Sequence, residues 1–114
     1  MSNTTPINYI ELKSTNLKTT KAFYDSIFGW TFTDYGERYT AFTDSGIEGG
    51  FELSEEPIVN GVLVVLHHNN LIEIQEKIIA AGAKINIAIF SFPGGSRFHF
   101  IDPSGNELAV WCKD

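Results

Sequence analysis

The chain writes one pattern twice: a strand, an amphipathic helix closed by glycine, then three short strands. The first copy starts at Ile7-Asn8-Tyr9-Ile10-Glu11-Leu12 and passes through a helix from Leu17 to Phe28, closed by Gly29-Trp30. The second starts at Val62-Leu63-Val64-Val65-Leu66 and passes through Leu71 to Ala81, closed by Gly82-Ala83. The two closing glycines stand 53 residues apart in a chain of 114. A half of that size buries too little surface to be stable alone, so the copies are expected to pack as one domain around a shared hollow. Function is to be sought in that hollow.

Local signals set the expected elements. In the first strand Ile10 and Leu12 point to the core while Tyr9 and Glu11 point the other way. Asn16 is a candidate cap for the first helix, whose apolar positions Leu17, Phe23/Tyr24 and Ile27/Phe28 recur at helical spacing. Strands follow at about 30–35, 38–43 and 47–53. The polar stretch Ser54-Glu55-Glu56-Pro57 starts a linker over about 54–60, between a first module at about 5–54 and a second at about 61–114. Asn70 with Glu73 forms a capping box for the second helix. The last three strands are expected at about 84–90, 96–101 and 106–112, with Asp102-Pro103-Ser104-Gly105 as a type I turn. By alternation Phe98, Phe100, Leu108 and Val110 face the helix-covered core, and Arg97, His99, Ile101, Glu107, Ala109 and Trp111 face the hollow.

Composition narrows the partners. With 43% hydrophobic residues, the 114 residues suit a single domain, with no room for a second. A net charge of −6 repels phosphate backbones and anionic membrane surfaces, so neither nucleic acid nor membrane is expected as a partner. Cys112 has no mate in the chain, and the first residues lack a signal-peptide pattern, which together imply the cytoplasm.

Asn16-Leu17, Ala22-Phe23-Tyr24 and Phe28-Gly29-Trp30, with Arg97-Phe98, Asp102-Pro103-Ser104-Gly105-Asn106 and Trp111, resemble the vicinal oxygen chelate superfamily. That group includes glyoxalase I, bleomycin-resistance proteins, fosfomycin-resistance transferases and extradiol dioxygenases. The resemblance covers almost the whole chain. It implies an α+β fold of two tandem βαβββ modules forming cupped eight-stranded mixed sheets, with a cleft that holds a divalent metal in the enzymes. It implies no particular reaction. It also suggests a homodimer, in which a partner covers apolar helix and edge-strand surface. Carried over residue by residue, the four metal-ligand positions fall on Tyr9, Val62, Ala109 and Gly50. None of these is a metal donor of the His or Glu kind, and Glu48 and Glu52 beside Gly50 restore at most one carboxylate. Transition metals need several donors within roughly 2.0–2.3 Å, so no metal and no cofactor is expected.

The candidate ligand contacts are Tyr9, Glu11, Arg97, His99 and Trp111. His99 matches a ligand-contacting position of the fosfomycin-resistance relatives, and histidine is a residue type suited to general acid or base work; the bland alternative is a strand histidine on a partly wetted face. Arg97 suits a carboxylate or phosphate of a ligand, or else pairs with Glu107. Glu11 on an inward face needs a partner, a hydrogen bond or a solvent-filled cavity, and an ion pair with Arg97 would serve. Tyr9 and Trp111 offer flat surfaces for an aromatic ligand, or plug a small cavity. His67-His68 is read as a strand end, because neighbouring residues point to opposite faces, and Pro93-Gly94-Gly95-Ser96 as a hairpin loop. The leading function is a binder of a small organic molecule in the hollow between the modules, without a catalytic metal; the alternative is an enzyme of the superfamily, an isomerase or lyase or a glyoxalase-like protein, using His99 or Glu11 as general acid or base.

Overall fold

A computed structural model of the chain describes residues 4–103 and 105–114. Ser104, inside the expected turn, lies outside the described residues. Two compact units are distinguished, Tyr9–Leu63 and a second made of Val64–Asp114 with the residues up to Asn8.

The first unit carries β1 (Ile7–Ser14), α1 (Leu17–Phe28), β2 (Thr31–Asp34), β3 (Tyr39–Thr43) and β4 (Gly49–Leu53). Its strand order is β2-β3-β4-β1, with β1 and β4 parallel and the other pairs antiparallel. Asn16 starts α1 as its sequence position demands: the backbone is extended and Oδ1 accepts from the Thr19 N–H at 3.0 Å. Gly29 ends the helix at φ 76°, a left-handed conformation that favours glycine, and its N–H donates to the Asp25 carbonyl at 2.9 Å. That stop turns Trp30 back onto Tyr24, with stacked rings 4.8 Å apart, and onto Phe42 at 4.6 Å. Phe42 and Phe51 are buried beneath them. Phe23, Ile27 and Phe28 on the same helix remain more than half exposed.

The second unit carries β5 (Leu63–His67), α2 (Leu71–Ala80), β6 (Lys84–Phe92), β7 (Gly95–Ile101) and β8 (Glu107–Lys113), in the order β5-β8-β7-β6. Again one pair, β5 and β8, is parallel. Asn70 caps α2 by accepting from the Glu73 N–H at 3.0 Å. The helix then lays Leu71, Ile74 and Ile78 on Phe98, Phe100 and Val110, which form the core of this unit. Full burial of a side chain such as Phe98 stabilises by roughly 1.5–3 kcal/mol. Before β8, Asp102 is hydrogen-bonded to both Gly105 and Asn106. The Gly105 N–H donates to the Asp102 carbonyl at 3.0 Å, and the Asp102 carboxylate accepts from the backbone and side-chain nitrogens of Asn106 at 2.9 and 3.0 Å.

The fold is therefore α+β, two βαβββ modules in tandem with eight strands and two helices among the described residues. Element ends differ from expectation by a few residues. The largest differences are two residues, at the start of β4 and at the end of β6, and the register of β6 against β7 shifts twice, between Ile85 and Ile87 and between Ile87 and Phe90.

Candidate functional site

In the second unit the pleat separates two sets of side chains. Phe98, Phe100 and Val110 face α2; Arg97 and His99 therefore point to the other face, paired across the ladder with Trp111 and Ala109. The two register shifts in β6 bring Phe90 opposite Arg97 while Ile85 and Ile89 stay with the core. The guanidinium carbon of Arg97 then lies 5.5 Å from the centre of the Phe90 ring and 5.9 Å from that of Phe92. Phe92 also meets Trp111 at 6.4 Å, and the indole N–H of Trp111 donates to Asn8 Oδ1 at 3.0 Å. Three of the expected contacts, Arg97, His99 and Trp111, thus stand in one cluster with Phe90 and Phe92.

His99 sits deepest, with only 6% of its surface exposed. Its Nδ1 is 2.9 Å from Glu107 Oε2, and Asn86 Nδ2 donates to the same oxygen at 3.2 Å. Its Nε2 is buried without a hydrogen-bond partner among the described residues. Glu107, weighed above as a partner of Arg97, holds the imidazole. A ring oriented by a carboxylate, with its second nitrogen unengaged, can accept or donate a proton at that nitrogen.

The first unit holds the other two expected contacts. Glu11 is 92% buried, at 8% exposure, and the Tyr39 hydroxyl donates to its Oε1 at 3.5 Å. The same hydroxyl lies 2.5 Å from that of Tyr9. Burial raises the Tyr9 phenol above its ordinary value, the charge of Glu11 adds to this, and the hydrogen bond with Tyr39 opposes it. Sequence reasoning missed Tyr39. Strand register brings it there: Tyr39 shares a face of β3 with Ala41, and Ala41 pairs with Gly50 as Gly50 pairs with Glu11.

His68 serves the entry to α2: its Nδ1 accepts from the Asn70 N–H at 2.9 Å. His67 ends β5 and meets the Trp111 ring edge-on at 5.2 Å.

Two modules of four strands and one helix, each with βαβββ connectivity, define the class of protein. Residues 6–110 match the profile of the Glyoxalase/Bleomycin resistance protein/Dioxygenase superfamily, and the chain belongs to that family. Curated relatives described as putative glyoxylase CFP32, from Mycobacterium bovis and Mycobacterium tuberculosis, are 25% identical over 91% of this chain. The chain spans 44% of their length. Among solved structures, a superfamily member from Vibrio splendidus 12B01 superposes with a TM-score of 0.74 at 18% identity, covering 96% of this chain and 100% of that one. A methylmalonyl-CoA epimerase from Mycobacterium tuberculosis gives 0.76 at 11% identity, covering 100% and 93%. At those identities the likeness is one of fold.

The residues present do not fit the metal of the family's enzymes. The phenol of Tyr39 covers position 50, Ala109 is fully buried, and Val62 precedes β5 with more than half its surface exposed. Glu52, the carboxylate nearest Gly50 in β4, pairs with Lys13 at 2.9 Å. Among the described residues no three His, Cys, Asp or Glu side chains gather as a metal set would.

Proposed function

We propose that this chain binds a small organic molecule with a planar part and an anionic part, on the face of β6, β7 and β8 away from α2, without a catalytic metal. The grouping of Arg97, His99 and Trp111 with Phe90 and Phe92 carries the reading. Ligand sites combine aromatic walls with a few fixed polar groups, and a guanidinium steadied over aromatic rings matches the planar fork of a carboxylate. In the other unit Tyr9 and Glu11 stand as candidate contacts with Tyr39 beside them. A thermal-shift screen of small aromatic carboxylates tests the reading. Stabilisation that grows with ligand concentration and is lost in Arg97→Lys and Trp111→Ala supports it; no stabilisation by any organic anion overturns it.

One observation favours an enzyme as the second reading: the Glu107–His99 pair has the form of an oriented general base, with Glu11 as the other candidate. Deuterium from D2O entering a bound carbonyl compound beside its carbonyl, and failing to enter with His99→Gln, would establish proton transfer. Binding without such exchange favours the binder.

We further propose that the protein is a cytoplasmic homodimer, with a second copy covering the exposed Phe23 and Ile27 of α1. None of the described helices is long and apolar enough to cross a membrane.

A further inference from the structure

His99 meets a carboxylate on one side of its ring and no polar group on the other. A carboxylate only accepts hydrogen bonds, so the nitrogen 2.9 Å from Glu107 Oε2, Nδ1, is the one that carries the proton. Asn86 donates to that same oxygen at 3.2 Å and holds it in place. In the neutral ring Nε2 then bears a lone pair, on an atom without exposed surface or partner. A buried acceptor in that condition costs free energy until something donates to it. The Phe90 ring, 6.1 Å away and inclined by 31°, packs beside the imidazole and supplies no donor.

We infer that the ligand, on displacing the Phe90 ring packed beside the imidazole, brings an O–H or N–H donor to the otherwise covered His99 Nε2, so that the site selects hydroxy- or amino-substituted aromatic anions over molecules of the same shape that only accept. The inference rests on the binding reading above. Glu107 and Asn86 act through His99 and are positioning residues: they choose the tautomer, and the tautomer chooses the ligand. The discrimination is strong for its size because the wrong ligand leaves the buried nitrogen unsatisfied.

Calorimetry on the full chain with 3- and 4-hydroxybenzoate and their fluoro analogues, close in size but unable to donate, tests the selection. A hydroxy probe is expected to bind at least about tenfold more tightly than its fluoro analogue, the scale of one net buried hydrogen bond. Equal binding overturns the inference and leaves the binding reading standing; no binding by any probe overturns the binding reading and this inference with it. The tautomer is tested separately by 15N NMR of histidine-labelled protein, in which only three rings report and His99→Gln identifies the signal. The proton is expected on Nδ1 in the unliganded protein, and with Glu107→Gln that preference and the hydroxy preference are both expected to disappear. A proton on Nε2 in the native protein overturns the inference.

Discussion

Tyr39 lies across Gly50, its ring filling the space into which a side chain at position 50 would project: a Cβ there would come within 2.4 Å of the phenol oxygen. Gly50 pairs with Glu11 across β1 and β4, and the same phenol oxygen reaches Glu11 and Tyr9. A position that resembles a metal-ligand position of the superfamily's enzymes is thus closed by an aromatic ring tied to two neighbours.

Protein purified without chelators is therefore expected to carry far less than about one Ni, Zn, Fe or Mn per chain by elemental analysis. A stoichiometric metal, with ligand binding or turnover lost to a chelator, would contradict the account of the donor set.

The two neighbouring glycines of β4 should differ in their tolerance. A Cβ at Gly49 would meet the Ile10 carbonyl at 2.2 Å, which is backbone, whereas at Gly50 it meets the far end of a side chain. Gly50→Ala is expected to cost about 1–3 kcal/mol by urea unfolding, as Tyr39 swings aside and gives up its hydrogen bonds. Gly49→Ala should cost more. Tyr39→Ala combined with Gly50→Ala should recover part of the single-site loss, and strict additivity would mean that the ring does not lie where described.

Tyr9 gives a stability signal at alkaline pH. Its folded value stands above the ordinary 10.0, chiefly through burial, so the native state keeps a proton that the unfolded state releases. The contribution is whole below the unfolded value and is lost as pH rises through the folded one. Unfolding midpoints measured upward from about pH 9 should fall less steeply for Tyr9→Phe than for the native chain. Parallel slopes would contradict the shift.

The exposed side of α1 predicts self-association. Sedimentation at tens of micromolar is expected to give a dimer, and Ile27→Glu, at a residue 62% exposed, should give a folded monomer. A monomeric native chain would remove the homodimer from the account.

Much of the fold was legible because its signals are local. Asn16 and Asn70 cap, Gly29 stops, and strict alternation in β7 and β8 sorts Phe98 and Phe100 from Arg97 and His99. Phe90 and Phe92 were not legible as neighbours of Arg97. Nothing in Ile87-Ala88-Ile89-Phe90 marks where the register slips, and each slip reverses which residues share a face. The partners of the site residues were hidden for a similar reason. Asn86, 21 residues before Glu107, and Tyr39, 28 after Glu11, are set beside them by strand register rather than by spacing along the chain.

The face carrying Arg97, His99 and Trp111 is the one proposed to hold the ligand. That proposal is tested most directly by 15N–1H NMR during titration with an aromatic carboxylate that stabilises the chain. Saturable shift changes are expected in β6, β7 and β8 around Phe90, Arg97, His99 and Trp111, abolished by Arg97→Lys. Changes that leave those strands untouched and gather elsewhere would contradict it.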